Sequence, residues 1–260
     1  MKRSIIIFLL FFVAQVIGAI ITLAMGVSTG VNADFATVMA NMDPVAIGIG
    51  IGVAELLLIA VLWRWFSHPG AFRFVGTTCS GKGLLAILGF MVMAIGLDAM
   101  LSFVELNDLG MEEKFASMKD NWFCLLSLCV IGPLAEELTF REGILREMMA
   151  AGARPWAAIV SSAVAFGMVH GDPAQMVPAV VMGAALGWMY YKTGNLSLCL
   201  PAHILNNSFA CATMNCPEID GFIEGLSPFV VVPVGAVLCL VGAFLMYRCL
   251  RSASTLSENQ

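Results

Sequence analysis

The sequence predicts an all-α polytopic membrane protein of about eight transmembrane helices. Three observations carry that prediction. The 260-residue chain is 60% hydrophobic and only 12% charged, with a mean hydropathy of +0.90, about half the charge share of a soluble globular protein. Apolar runs of spanning length recur with short polar gaps between them. The basic residues also segregate. Lys2, Arg3, Arg64, Arg73, Lys82, Arg141, Arg146, Arg154, Lys192, Arg248 and Arg251 fall on one side of such a layout, and only Lys114 and Lys119 fall on the other. By the positive-inside rule both termini are cytoplasmic, which requires an even number of spans.

Taken in order, Met1-Lys-Arg followed by the apolar run 4–25 starts like a signal peptide. The run is too long for a typical h-region and long enough to span, so it reads as an uncleaved first helix. Further spans are expected at about 44–66, 84–106, 121–148, 155–171, 173–192, 196–214 and 227–248. Gly171-Asp172-Pro173 separates the short fifth and sixth. Trp63 and Trp65 beside Arg64, and Trp188, Tyr190 and Tyr191 beside Lys192, read as interfacial anchors, with Trp122 opening the fourth span from the opposite side. The stretch 105–120 reads as a solvated connector in preference to a short amphipathic helix. The polar tail 252–260 reads as disordered.

Composition narrows the function. Of the eight cysteines, Cys124, Cys129, Cys199, Cys211, Cys239 and Cys249 lie in or beside apolar runs and read as packing residues; Cys216, near an external loop, stays a candidate for redox chemistry. The 17 methionines are scattered and do not suggest a copper site. The chain has no Gly-rich phosphate loop, no internal repeat and no basic patch suited to nucleic acid.

The polar residues inside the spans are the informative ones. Glu136, Glu137, Arg141 and Glu142 occupy seven consecutive positions of the fourth span. Each charge at mid-bilayer costs roughly 2.5–3.5 kcal/mol, so four unpaired would cost on the order of 10 kcal/mol. Residues four apart share a helix face, so Glu137 pairs with Arg141 and Glu136 is left without a partner on its own helix. Glu142 falls near the cytoplasmic edge. Pro133, preceded by Gly132, removes a backbone hydrogen bond and is expected to kink the helix there. His170 ends the fifth span, four residues after Phe166. His203 follows Pro201 in the first turn of the seventh, with Asn207 one turn on. Glu55 and Asp98 each stand alone in apolar sequence and read as structural hydrogen-bonding groups, with a second-shell or proton-path role as the alternative. His68 sits in a Ser-His-Pro-Gly loop and needs no special role.

Glu136-Glu-x-x-x-Arg141, Phe166-x-x-x-His170 and His203-x-x-x-Asn207 resemble, in order, the three motifs of the CPBP family, which includes the type II CAAX prenyl endopeptidases. The resemblance divides one integral membrane domain into three parts. Residues 1–120 form a three-helix segment without recognised motifs, 121–214 a CPBP-like catalytic core, and 215–260 the last helix and tail. It implies an endopeptidase acting inside the membrane on a membrane-associated or lipidated, CAAX-like protein or peptide. Glu136 would activate water and His170 would position it or shuttle its proton. His203 and Asn207 would stabilise the oxyanion, while Glu137 and Arg141 hold these groups in place.

Cofactor need is open. Glu136, His170 and His203 would make a His₂Glu set like that of several zinc hydrolases, but the usual His-Glu-x-x-His helix is absent, so the ligands would have to converge from three helices. A metal-free mechanism is the preferred reading. Partners are then the peptide substrate and the lipid bilayer, in a bacterial-type plasma membrane, with no nucleic acid. Two other classes compete: a non-catalytic scaffold or bacteriocin-immunity protein, and a proton-coupled transporter using Glu55, Asp98 and the Glu136 cluster. A transporter would more often carry a repeat or paired broken helices.

Overall fold

Helix starts are written into the sequence. Asp43, Ser80, Asn121 and Asp172 each accept a hydrogen bond from the first turn they precede: Val45 N at 3.1 Å, Gly83 N at 3.0 Å, Phe123 N at 3.0 Å and Gln175 N at 2.9 Å. Pro44, Pro155, Pro173 and Pro228 occupy first-turn positions, where a missing N–H costs nothing.

The computed structural model of the protein describes residues 2–26, 42–66, 80–107, 110–213 and 225–251. His68, Arg73, Cys216 and the 252–260 tail lie outside the described residues. The described residues form α1 (Lys2–Gly26), α2 (Pro44–Trp65), α3 (Gly81–Leu101), α4 (Met111–Ser117), α5 (Trp122–Ala150), α6 (Pro155–Met168), α7 (Pro173–Thr193), α8 (Cys199–Thr213) and α9 (Pro228–Leu250). All eight expected helices are present. Five of them (α1, α2, α3, α5 and α9) are long and apolar enough to cross a membrane, which is narrower than the eight spans expected. At 14 and 15 residues, α6 and α8 fall short of the ~20 residues that cross a 30 Å core. The stretch 105–120 is not a plain connector: α4 forms within it. Met118, just past α4, is fully buried and packs with Ile47 and Cys124.

The helices pair as α1 with α2, α3 with α9, and α6 with α7. Helix α5 runs between them and touches α1, α2, α6, α7 and α8. With little hydrophobic drive between helices in lipid, close pairing relies on small residues that let backbones meet. Added Cβ atoms show this at the α3–α9 seam: at Gly96 one would lie 2.5 Å from the Gly235 carbonyl oxygen, and at Gly235 one would lie 2.6 Å from that of Gly96. Gly96→Leu is therefore expected to wedge α3 from α9 and destabilise the fold by about 1–3 kcal/mol, read as a lowered melting temperature in detergent. An unchanged melt would contradict this seam.

Proline 133 does not produce a simple kink. Helix α5 widens into π-helix on both sides of it, at Ser127–Ile131 and Glu137–Leu145, while 132–136 stay α-helical. Such widenings frequently mark functional sites. The second one carries Glu137, Arg141 and Glu142, each buried in the protein. This placement answers the cost of charges at membrane depth, because α5 shows them to other helices and not to lipid.

The anchors divide. Trp63, Trp65 and Trp122 are exposed, as interfacial residues are. Tyr190 is not an anchor. It is fully buried, because its hydroxyl is needed by a buried carboxylate described below. Asp98 is exposed on α3. Cys124, Cys129, Cys199, Cys211, Cys239 and Cys249 are free thiols, the first and third fully buried, as packing residues would be.

Candidate active site

Glu137 is the hub of the site. Its Oε1 meets Arg141 Nη1 at 3.0 Å along α5, the pair expected from the four-residue spacing. The same oxygen accepts from His203 Nδ1 on α8 at 2.9 Å. All of Glu137 and Arg141 is shut away from solvent, and Glu137 Oε2 and Arg141 Nε have no hydrogen-bond partner among the described residues, so the pair depends on the contacts it does make. Arg141 Nη2 donates to the Gly183 carbonyl of α7 at 3.2 Å, and its guanidinium lies 4.4 Å over the Phe166 ring of α6.

Glu136 projects away from this pair and meets the other nitrogen of the same histidine. Its Oε2 lies 3.4 Å from His203 Nε2. Adjacent carboxylates of one helix thus grip opposite sides of one imidazole. A carboxylate oxygen can only accept, so Nδ1 of His203 carries the proton toward Glu137 and Nε2 is turned to Glu136. Of Glu136, Glu137, Arg141 and Glu142, Glu136 is the accessible one. Its side chain is 17% exposed, against 0% for Glu137 and Arg141 and 1% for Glu142.

His170 joins through an aromatic ring. Phe166 packs edge-on against His170 at 4.9 Å and against His203 at 5.6 Å, so both imidazoles flank one side chain. Phe140 and Phe11 extend this ladder toward α1. His170 Nδ1 donates to the Phe166 carbonyl at 2.9 Å, which fixes the proton on Nδ1 and leaves Nε2 free. The two histidines therefore offer the same ring nitrogen.

Asn207 has a structural job that sequence reasoning missed. Gly132 N–H bonds to the Ser127 carbonyl in the widened α5, and continuing that pattern would bring Pro133 to Leu128. Proline has no N–H, so the Leu128 carbonyl is open, and Asn207 Nδ2 donates to it at 3.1 Å. The amide keeps a second N–H for other use. Asn207→Ala is expected to leave that carbonyl unpaired and cost about 1–3 kcal/mol, seen as a lowered melting temperature. Retained stability would show that another donor reaches Leu128.

Glu142, expected near the cytoplasmic edge, is buried among the helices with partners of its own. It accepts from the Tyr190 hydroxyl at 2.5 Å and from Arg146 at 3.2 Å. Arg146 also donates to the Phe66 carbonyl at 2.9 Å, joining α5 to the end of α2. The signal available in the sequence was a tyrosine in a buried turn whose hydroxyl needs a partner.

A zinc site was the alternative reading of Glu136, His170 and His203. Among the described residues, no three His, Cys, Asp or Glu side chains converge in an arrangement that holds a metal ion. Nδ1 of each histidine is engaged by Glu137 or by the Phe166 carbonyl, an arrangement that leaves Nε2 to face a ligand. Of the three residues, the structure brings only Glu136 and His203 into polar contact.

The paired glutamates, the Phe-His turn and the His-Asn helix thus meet in one cluster. The family described as type II CAAX prenyl endopeptidase, Rce1-like, matches residues 118–209, which hold all of them. Through this segment the chain is similar to that family. The chain is also similar to YdiL of Bacillus subtilis (strain 168), whose naming as a membrane peptidase is itself provisional, with 25% identity over 108 residues. That alignment covers 42% of this chain and 43% of YdiL, so the chain spans less than half the length of the relative it matches. No solved structure matches. With five helices of spanning character beside this family segment, the protein is an integral membrane protein.

Proposed function

We propose that the protein is an intramembrane endopeptidase that hydrolyses a peptide bond in a membrane-associated or lipidated, CAAX-like protein or peptide. The observation that carries the proposal is the grip of Glu136 and Glu137 on the two nitrogens of His203, with Glu136 at the accessible end. Glu137 and Arg141 are shut away, while Glu136 beside them is left in reach.

The chemistry follows from the positions. A water held by Glu136 beside His203 Nε2 attacks the scissile carbonyl carbon while the Glu136 carboxylate takes its proton. The carbonyl oxygen becomes an oxyanion, met by the spare Asn207 N–H and by Nε2–H when the His203 ring is doubly protonated. On collapse the C–N bond breaks and the proton on Glu136 passes to the leaving amine, giving an acid and an amine and restoring the carboxylate. His170, with its free Nε2 at the other edge of Phe166, positions water or carries its proton. Glu137 holds the proton on Nδ1 of His203, and Arg141 holds Glu137 in place.

In this reading the site opens to the cytosol, both termini are cytoplasmic and the membrane is a bacterial-type plasma membrane. The excess of Lys and Arg on one side supports that orientation. The reaction needs no cofactor in this reading. Purified protein in detergent, given CAAX-like peptides with and without a prenyl group, should cleave at least one of them with and without a chelator present. Loss of cleavage on chelation, restored by zinc, would replace the metal-free mechanism. Uptake or export with no cleavage would favour a transporter.

A further inference from the structure

Of the buried carboxyls outside the mechanism, Glu142 pairs with Tyr190 and Arg146 and Asp172 caps α7, but no contact described above uses Glu55. Glu55 of α2 is 5% exposed, and its Oε2 has no protein partner among the described residues. A buried carboxyl oxygen without a hydrogen bond is rare enough to demand an account. Its surroundings supply one. A Cβ added at Gly132 would lie 3.3 Å from Glu55 Oε1 and 3.4 Å from Oε2, so the carboxyl rests against the bare Cα at the start of the 132–136 turn. Gly132 and Glu136 are four apart on α5 and share a face, and Glu55 lies within electrostatic reach of Glu136. One turn earlier on α2, Gly52 abuts Ser127, the first residue of the upper π-helical stretch, where any side chain would collide with the Ser127 hydroxyl. Helix α2 is thereby pressed onto α5 where the discontinuity lies.

Resting on the peptidase reading, we propose that Glu55 is a further catalytic residue, which with Glu136 holds the attacking water. A water between two carboxyl groups directs an O–H to each and keeps a lone pair free for the substrate carbonyl, which leaves His170 to carry the proton and not to hold the water. Glu136 then takes its proton in the reaction as described, and Glu55 keeps its hydrogen bond throughout. A polar, roomy site with two or more partners is what a buried water needs. Helix α2, which carries no family motif, thus contributes a group to the site from outside the matched segment 118–209.

The test compares wild type with Glu55→Gln and Glu55→Leu, each first checked for an unchanged melting temperature. In structures that resolve ordered water, wild type and Glu55→Gln should show a water touching residue 55 and Glu136, and Glu55→Leu should lack it. On any peptide the wild type cleaves, Glu55→Leu should lower kcat by about 10²-fold, the scale of a misplaced reactant, with KM little changed. Glu55→Gln, whose amide oxygen still accepts, should recover most of that loss. Absence of the water from wild type, or full kcat in Glu55→Leu, would overturn the assignment. The water is read without turnover, so failure of every peptide to be cleaved counts against the peptidase reading and leaves the water result to decide the role of Glu55 in binding it.

Discussion

Glu136→Gln is expected to lower kcat by about 10²–10⁴-fold, the contribution of a positioned general base, while the protein stays folded. The argument lies in what the change keeps. Glutamine has the size of glutamate and still reaches His203 Nε2, now 3.4 Å from Oε2. It cannot accept a proton from water. Glu136 also stands apart from the buried pair at Glu137 and Arg141, so the melting temperature in detergent should shift little. Steady-state kinetics beside thermal unfolding checks both halves. Undiminished turnover would remove Glu136 from the chemistry, and a collapsed melt would make it a structural residue.

Arg141→Met is expected to act the other way, on the fold before the chemistry. Arg141 is the largest fully buried side chain described, and removing it leaves the Glu137 carboxylate without its cation in the dry centre of the bundle. Breaking a buried pair in this way costs about 3–5 kcal/mol. Lysine should not rescue it. The guanidinium reaches Glu137 and the Gly183 carbonyl while lying flat on Phe166, and a point charge on a flexible stem cannot do all three. Adding Glu137→Gln to Arg141→Met should restore part of the loss, because the residues are in contact and their effects do not add. Denaturant or thermal unfolding of the four proteins measures this. Equal stability of wild type and Arg141→Met would show that the pair contributes nothing.

Helix positions were legible in the sequence because they depend on local signals. The caps at Asp43, Ser80 and Asn121 and the apolar runs between polar gaps place the helices within a few residues. The Glu137–Arg141 pair was legible for the same reason, since four-residue spacing survives the widening of α5. Which helices meet is another matter. No periodicity in α5 or α8 says that Glu137 binds His203 Nδ1, 66 residues away. Only the resemblance brought the two motifs into one site, and it did not foresee that bond. The π-helical stretches were hidden as well. Pro133 announces a missing N–H, but whether the helix bends or widens depends on what its neighbours satisfy. Here Asn207, from another helix, takes up the Leu128 carbonyl. Tyr190 misled because an aromatic beside Lys192 has the pattern of an interfacial anchor. Its hydroxyl bond to Glu142 is a tertiary fact.

The most direct measurement of the central claim is the mass of the cleavage products formed in ¹⁸O-labelled water. Wild-type protein given a CAAX-like peptide in detergent should release two fragments, with one ¹⁸O in the new carboxylate and none in the new amine. Glu136→Gln under the same conditions should release them at least about 10²-fold more slowly. Labelled fragments from Glu136→Gln at the wild-type rate, or no hydrolysis of any membrane-associated peptide by wild type, would contradict a peptidase built on Glu136.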